Sequence, residues 1–502
     1  MSTSCCPVSL YRYGLLCFVV ILVFLAIGCS CSDTASSPTD QPDEDKEYRF
    51  GVFPPGNLID HMESARRLGI TEPRTILSWQ MFEPAKGEFT FEFHDQHMDM
   101  FHAAGMKPII TIRSDSSWGS REGHHAIMSS PPINMDDYTE FLQTVVDRYK
   151  GRVKYWQIEN EIVDDKALVG LNIGATRFWM GSREEYVDLL KSAYEVIKNT
   201  DPDAEIVLQG FAHSLFMGIE EENESLAEFF DYIMSHGDYF DVVDFHYYYE
   251  PEMLHGIIDI LRGAMERHGY DKPLICTEAG DLDIRLFDRH FRHLQGQDVP
   301  AVPIVEELME LPDVGAKIEE LSAGGITEQD RIDFGVFLST NPEARPVVER
   351  FQAENLVKRV VLSFSLGVES FNWHIMMDQK EDPMNWWFTL MGLMDAEGTH
   401  KPSYYTYKLL IEKLYGIAGV EKVGNHSYRF RFKEDKPPVY VAWKNDGDIV
   451  LDLSHEITGE VEVTHIITER GITHEDVVTE RMDSSSITVG NTPIIFAAAN
   501  AI

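Results

Sequence analysis

Cysteine is almost confined to the start of this chain. Of six cysteines in 502 residues, Cys5, Cys6, Cys17, Cys29 and Cys31 lie near the N-terminus, and only Cys276 lies beyond them. A body with one cysteine cannot close an internal disulfide, so its fold must stand on its core. Basic residues are also few. Lys and Arg number 43 against 83 Asp and Glu, a net charge of -40. Nucleic acid is excluded as a partner, because phosphate neutralisation needs clustered cations. Electrostatic adhesion to anionic lipid is excluded for the same reason, and the acidity reads as a soluble, self-repelling surface. No Gly-x-Gly-x-x-Gly follows the first strand, and neither a Gly-x-Ser-x-Gly elbow nor a phosphate loop occurs. His124-His125 has no companions at metal-ligand spacing, so no metal is assigned and no cofactor is expected. Apolar residues are not scarce. At 44% hydrophobic and 11% aromatic, the chain can bury a full-sized core.

The N-terminus stands apart. Arg12 is the only charge before an apolar run from Leu15 to Ile27. The run is shorter than the ~20 residues of a membrane span and suits the core of a signal peptide. It ends in Ala26-Ile27-Gly28-Cys29, which resembles the bacterial lipobox, with Ala26 where Leu is usual. The resemblance implies a lipoprotein signal peptide over 1–28 and lipidation of Cys29; a plain secretory signal is the alternative. Residues 29–47 lack apolar content and read as a flexible acidic tether. The expected location is therefore outside the cytoplasm. The protein is either lipid-anchored in a bacterial cell envelope, periplasmic or at the cell surface, or secreted. Any membrane contact is through the anchor alone.

From Tyr48 onward, short apolar strands alternate with helical patterns. Strands are predicted at Tyr48–Phe53, Arg74–Ser78, Lys107–Arg113, Val153–Ile158, Glu205–Gln209, Val242–His246, Leu274–Thr277 and Ser370–His374. Helices are predicted at Asn57–Leu68, Phe93–Ala104, Asp136–Arg148 and from a Ser182–Glu185 capping box to Lys198. Such alternation implies a parallel sheet. Eight units suit an α/β fold of the (β/α)8 TIM-barrel type over 48–415. A segment over 281–344 interrupts the pattern after strand 7. It reads as a lid, a subsite wall or a surface ornament. Over 416–502, alternating strands separated by Gly, Asp and Asn read as a small C-terminal β-sandwich.

Barrel enzymes carry catalytic groups at the C-terminal ends of their strands. Strand 4 runs into Trp156-Gln157-Ile158-Glu159-Asn160-Glu161, and strand 7 into Cys276-Thr277-Glu278-Ala279-Gly280. Two carboxyl groups across a barrel mouth suit glycosidic cleavage, in which one protonates the leaving oxygen and the other stabilises an oxocarbenium-like centre. At about 5–5.5 Å they give retention through a glycosyl-enzyme. Alternation puts Glu159 and Glu161 on the same side, but Asn160 precedes only Glu161.

On these motifs the chain resembles clan A of the glycoside hydrolases, of the family 39 or family 5 kind, over about residues 48–415. The resemblance implies Glu161 as general acid/base and Glu278 as nucleophile. It implies Arg74 in PRTILSW and the His246/Tyr248 pair in FHYYY as neighbours of the nucleophile. It implies Asn160 as a donor to the sugar 2-hydroxyl and Trp373 in FNWH as an aromatic floor under the cleaved sugar. The stretch from Trp79 to Gly87 (WQMFEPAKG) also resembles one found after strand 2 in several of these families. Trp118, Trp386 and Trp387 read equally as subsite or packing residues, and Cys276 as buried and inert. The implied function is a retaining glycoside hydrolase whose partner is a carbohydrate. A non-catalytic carbohydrate-binding protein and a transglycosylase remain alternatives. The sugar, the linkage, exo or endo action and the oligomeric state are not readable.

Overall fold

A computed structural model describes residues 47–53, 61–125, 128–168, 178–248, 250–280, 302–323, 327–379, 390–433 and 436–499, with His290, His293 and Gly296 between. The leader, the tether, Trp386 and Trp387 lie outside the described residues.

Eight strands alternate with helices: β1 (Arg49–Phe53), β2 (Arg74–Ser78), β3 (Ile109–Arg113), β4 (Tyr155–Ile158), β5 (Glu205–Val207), β6 (Val243–Tyr247), β7 (Leu274–Ala279) and β8 (Val368–His374). They form two parallel four-stranded arrays, β1-β8-β7-β6 and β2-β3-β4-β5. Sparse backbone contacts join the arrays. Val207 bridges Val242 and Phe211 bridges Phe245 on one side. On the other, Thr71 and Glu72 both donate to the Phe50 carbonyl. The result is a closed (β/α)8 barrel, as the alternation implies.

The two-residue period of each strand sorts its side chains. Phe50, Val52, Trp156, Phe245, Phe371 and Trp373 join the large core between strands and helices. Ile109, Tyr155, Val207, Val242 and Ile275 form a separate cluster inside the barrel. The helices follow their local signals. Ser182 and Glu185 make a reciprocal capping box at the start of Arg183–Thr200. Asn134 caps Met135–Arg148 through its side chain. The helix expected from Asn57 is seen over Met62–Leu68; the residues before His61 lie outside the described residues. Among the described residues, no helix is long and apolar enough to cross a membrane.

Among the described residues, the interruption after β7 builds three helices, Pro303–Met309, Pro312–Ala323 and Glu328–Thr340. They carry their own apolar cluster, including Ile304, Leu308, Ile318 and Phe334, which reaches Val348 and Leu390. The segment is thus packed on helix Ala344–Ser365 and on the chain that follows β8.

Beyond Ile417 come eight further strands. Six form one sheet, β14-β13-β16-β11-β10-β9, and two form a second, β12-β15. Here β9 is Ile417–Lys422, β10 Ser427–Phe432, β11 Val439–Ala442, β12 Ile449–Leu451, β13 Glu460–His465, β14 Thr479–Asp483, β15 Ile487–Val489 and β16 Ile494–Ala498. The strands β9 and β14 were not anticipated; β14 is polar and exposed along most of its length, so it carries little apolar alternation. Arg470 ties this part to the barrel helices, reaching Glu349 at 2.6 Å and Asp395 at 2.9 Å.

Candidate active site

Beside the apolar layer inside the barrel, other inward positions of the strands are polar. Arg74 on β2, Thr111 on β3, Gln157 on β4, Asp244 and His246 on β6, and Thr277 on β7 are all fully buried. Such groups are tolerated inside only when hydrogen-bonded, and these are. Arg74 Nε and Nη2 donate to Gln157 Oε1 at 3.0 and 2.7 Å. Thr111 Oγ1 donates to the same oxygen at 2.6 Å. Gln157 Nε2 donates to Asp244 and to the Leu208 carbonyl. Thr277 donates to Asp244 through its backbone N–H and its hydroxyl.

This platform holds the two glutamates. Glu278 lies on β7 with one oxygen paired to Arg74 Nη1 and the other accepting from the Tyr248 hydroxyl at 2.5 Å. Arg74 also donates to Asn160 Oδ1, which leaves the Asn160 amide nitrogen as the end that can donate to a ligand. His246 stands between the carboxylates, with Nδ1 2.6 Å from Glu161 Oε1 and 3.6 Å from Glu278 Oε2. Its Nε2 faces Thr277 Oγ1 at 3.1 Å. That hydroxyl already donates to Asp244, so it accepts from the ring. Gly210 makes room for the imidazole: a Cβ there would sit 2.1 Å from His246 Nε2. Ligand atoms of Glu161, His246 and Glu278 all lie within 4.8 Å of one another. The two carboxyl groups therefore approach as closely as a retaining pair requires.

Electrostatics separate the two roles. Burial alone would raise the Glu278 carboxyl. The charges of His246 and Arg74 and the Tyr248 hydrogen bond outweigh it and hold the group far below the usual carboxylate range. Glu278 is therefore ionised and clamped. Burial opposes charge on His246, yet Glu278, Asp244 and Glu161 prevail and push it up to about 10. The Glu161 side chain retains 14% exposure, more than any other member of the cluster. A cation could enter among Glu161, His246 and Glu278. However, both Glu278 oxygens already accept from protein donors and both His246 nitrogens face acceptors, so this donor set is committed.

A raised folded-state pKa means the native protein binds the proton more tightly than the unfolded chain. The stabilisation is complete below 6.5, the ordinary histidine value, and fades as pH rises through about 10. Wild-type stability is expected to fall across that interval more steeply than that of His246→Asn. Denaturant titrations at pH 6, 8 and 10 measure it; parallel profiles for the two proteins would refute the assignment.

Several expected residues are brought together: Arg74, Asn160, Glu161, His246, Tyr248 and Glu278 converge. Two expectations are corrected. Trp373 does not floor the site. On β8 the inward positions are Ser370, Asn372 and His374, and Trp373 falls in the opposite phase. It is fully buried in the main core, with Nε1 donating to the Met391 carbonyl at 2.9 Å. Nor do Glu159 and Glu161 share a side. The strand ends at Ile158, and both glutamates have positive φ, 67° and 44°, so alternation no longer applies. Glu159 turns into the protein to accept from Ser114 N at 2.6 Å, and burial raises its pKa.

Trp118 packs edge-on against Trp79 and donates to the Glu83 carbonyl, which makes it part of the rim wall. The Trp79–Gly87 stretch is closed by one carboxylate, since Glu83 accepts from Trp79 Nε1 at 2.7 Å and Gly87 N at 2.6 Å. Cys276 is buried, and burial raises its thiol pKa well above the ordinary value, which suits an inert thiol. His124 pairs with Asp115 at 2.7 Å. Gln157, Asp244 and Thr277 were not anticipated. Their signal was polarity at inward positions of otherwise apolar strands.

Comparison with known proteins agrees with this geometry. The model of glycosyl hydrolase family 10 matches residues 64–215, a stretch that holds β2 to β5 and Glu161. Endo-1,4-beta-xylanase A of Thermotoga maritima is 25% identical over 153 residues, 30% of this chain and 14% of that enzyme. Endo-1,4-beta-xylanase B of Humicola insolens is 26% identical over 143 residues, 28% of this chain and 35% of that enzyme. The chain thus matches only a minor part of these relatives' lengths. A family 39 glycoside hydrolase from Bacteroides cellulosilyticus WH2 superposes with a TM-score of 0.57 at 15% identity, covering 91% of this chain and 82% of that one. A monomeric beta-xylosidase from Caulobacter crescentus CB15 gives 0.52 at 14% identity, covering 91% and 97%. The chain thus shares the barrel fold of these glycoside hydrolases and, over residues 64–215, is similar in sequence to glycosyl hydrolase family 10.

Proposed function

We propose that the protein is a retaining glycoside hydrolase that cleaves O-glycosidic bonds of an oligo- or polysaccharide by double displacement. The observation that carries the reading is the clamped, ionised Glu278 within 4.8 Å of the more exposed Glu161. In the first step Glu161 protonates the departing glycosidic oxygen while Glu278 attacks the anomeric carbon, and a glycosyl-enzyme forms. The His246 cation stabilises the carboxylate left on Glu161. In the second step that carboxylate takes a proton from water, which attacks the anomeric carbon and releases Glu278. Asn160 donates to a sugar hydroxyl, and Arg74 and Tyr248 hold the nucleophile in line.

The xylanase names among the relatives make β-1,4-linked xylan and xylo-oligosaccharides the first substrates to test. A panel of aryl β-glycosides and plant polysaccharides, read by released aglycone and reducing sugar, tests the activity. NMR of the first-formed sugar tests the stereochemistry. Absence of turnover across the panel, or an inverted first anomer, would overturn the reading.

We further propose that the protein is exported and acylated at Cys29, on the strength of the Ala26-Ile27-Gly28-Cys29 sequence after an apolar run. Residues 29–47 then serve as a tether from the membrane to the barrel. Mass spectrometry of the mature N-terminus is expected to find a diacyl- or triacyl-modified Cys29. An unmodified terminus beyond Cys31 would mean secretion without an anchor.

A further inference from the structure

One group beside the nucleophile has no part in the double displacement. His374 ends β8 in the inward phase, and its Nε2 lies 3.9 Å from Glu278 Oε2. That is too long for a hydrogen bond. The two groups stand side by side on the adjacent strands β7 and β8. An anomeric carbon poised for attack sits about 3–3.5 Å from the nucleophilic oxygen. The sugar ring that carries it then comes within reach of His374.

The imidazole is held in place. Phe53, at the end of β1, stacks on it at 4.9 Å between centroids with 23° between planes. Tyr248, which donates to Glu278, meets it edge-on at 6.0 Å. The backbone behind is pressed close, since a Cβ on Gly280 would lie 2.5 Å from the His374 carbonyl oxygen. Burial pushes the imidazole down to about 4, against the pull of Glu278. At neutral pH the ring is therefore uncharged, with one nitrogen able to donate and the other to accept.

Resting on the glycosidase reading above, we propose that His374 determines sugar specificity by hydrogen-bonding one hydroxyl of the sugar ring seated against Glu278. A fixed polar edge there favours a sugar bearing that hydroxyl. A site built to hydrogen-bond a hydroxyl discriminates strongly against an analogue that lacks it. Trp373, one residue earlier, cannot serve, because its ring is on the other side of the strand.

The test uses the aryl β-glycoside that the full-length wild type cleaves fastest among 4-nitrophenyl β-xyloside, β-glucoside and β-mannoside, together with its monodeoxy analogues. His374→Phe keeps an aromatic ring against Phe53 and removes both nitrogens. Its kcat/KM on the parent glycoside is expected to fall about 10- to 100-fold. On one monodeoxy analogue, wild type and His374→Phe are expected to agree within a factor of about two, because the partner hydroxyl is already gone. His374→Asn, which restores a donor and an acceptor, is expected to recover part of the discrimination between parent and that analogue.

An equal loss on every analogue would mean a structural role and overturn the proposal, as would unchanged selectivity in both variants. Melting curves of both variants identify any loss due to misfolding, and His374→Asn carries the test if His374→Phe fails to fold. No turnover of any probe by the wild type would remove the glycosidase reading, and the role of His374 with it. Turnover with selectivity insensitive to His374 would remove only the latter.

Discussion

Glu278→Ala is expected to lower kcat by on the order of 10⁴-fold or more, because without the carboxylate no glycosyl-enzyme can form. The loss should be the same for easy and difficult leaving groups, since the missing bond is to the sugar and not to the aglycone. Two controls make the result interpretable. Glu278→Gln keeps acceptor geometry for Tyr248 and Arg74 and should lose activity equally. Removing one partner of a buried ion pair costs about 3–5 kcal/mol, so melting curves must show that the variants are folded at the assay temperature. In Glu278→Ala, the space beside the Arg74 guanidinium is open to a small anion. Added azide is therefore expected to restore turnover and to give a glycosyl azide of anomeric configuration opposite to the substrate's. Activity of Glu278→Gln within tenfold of wild type would sink the assignment.

Glu161→Ala is expected to behave differently. General acid catalysis contributes about 10²–10⁴-fold, but only where the departing oxygen needs a proton. On an oligosaccharide the variant should lose that full factor. On a 2,4-dinitrophenyl glycoside, whose leaving group departs unaided, glycosylation should stay fast. Hydrolysis of the intermediate, which needs Glu161 as base, becomes slow. Stopped-flow traces are then expected to show a burst of dinitrophenolate followed by a slow steady state. A loss of equal size on both substrates, with no burst, would show that Glu161 is not the acid/base. The two variants together test the proposed division of labour between a clamped carboxylate and a less buried one.

Much of this site was legible because barrel strands deliver residues to one end in chain order. Strand 4 with Asn160-Glu161, strand 7 with Glu278 and the His246/Tyr248 spacing each depend only on a short strand followed by a turn. What failed was phase. Trp373 has the residue type that a sugar floor calls for, yet counting by two from Ser370 places His374 inward, next to Glu278. Glu159 failed for the converse reason. Alternation was carried past Ile158, where the backbone leaves the extended region. Gln157, Asp244 and Thr277 passed as ordinary strand residues, because a buried hydrogen-bond platform has no motif of its own. The helices described after β7 showed only as an interruption of the pattern, since their apolar cluster is completed by residues outside the segment, Leu390 among them.

The seams of the barrel have a mechanical consequence. Glu161 belongs to the β2–β5 array and Glu278 to the β6–β1 array, and continuous ladders run only within each. The gap between the carboxylates is therefore spanned across the joints between the two arrays. Arg74 reaches from the first array to Glu278, and His246 from the second to Glu161. The polar groups of the candidate site thus double as cross-braces, and the spacing between the two carboxylates is set by the residues beside them. A protein stripped of the His246 brace should breathe along the β5–β6 joint, which faster hydrogen exchange at Leu208 and Phe211, whose amides donate across it to Val242 and Asp244, would register.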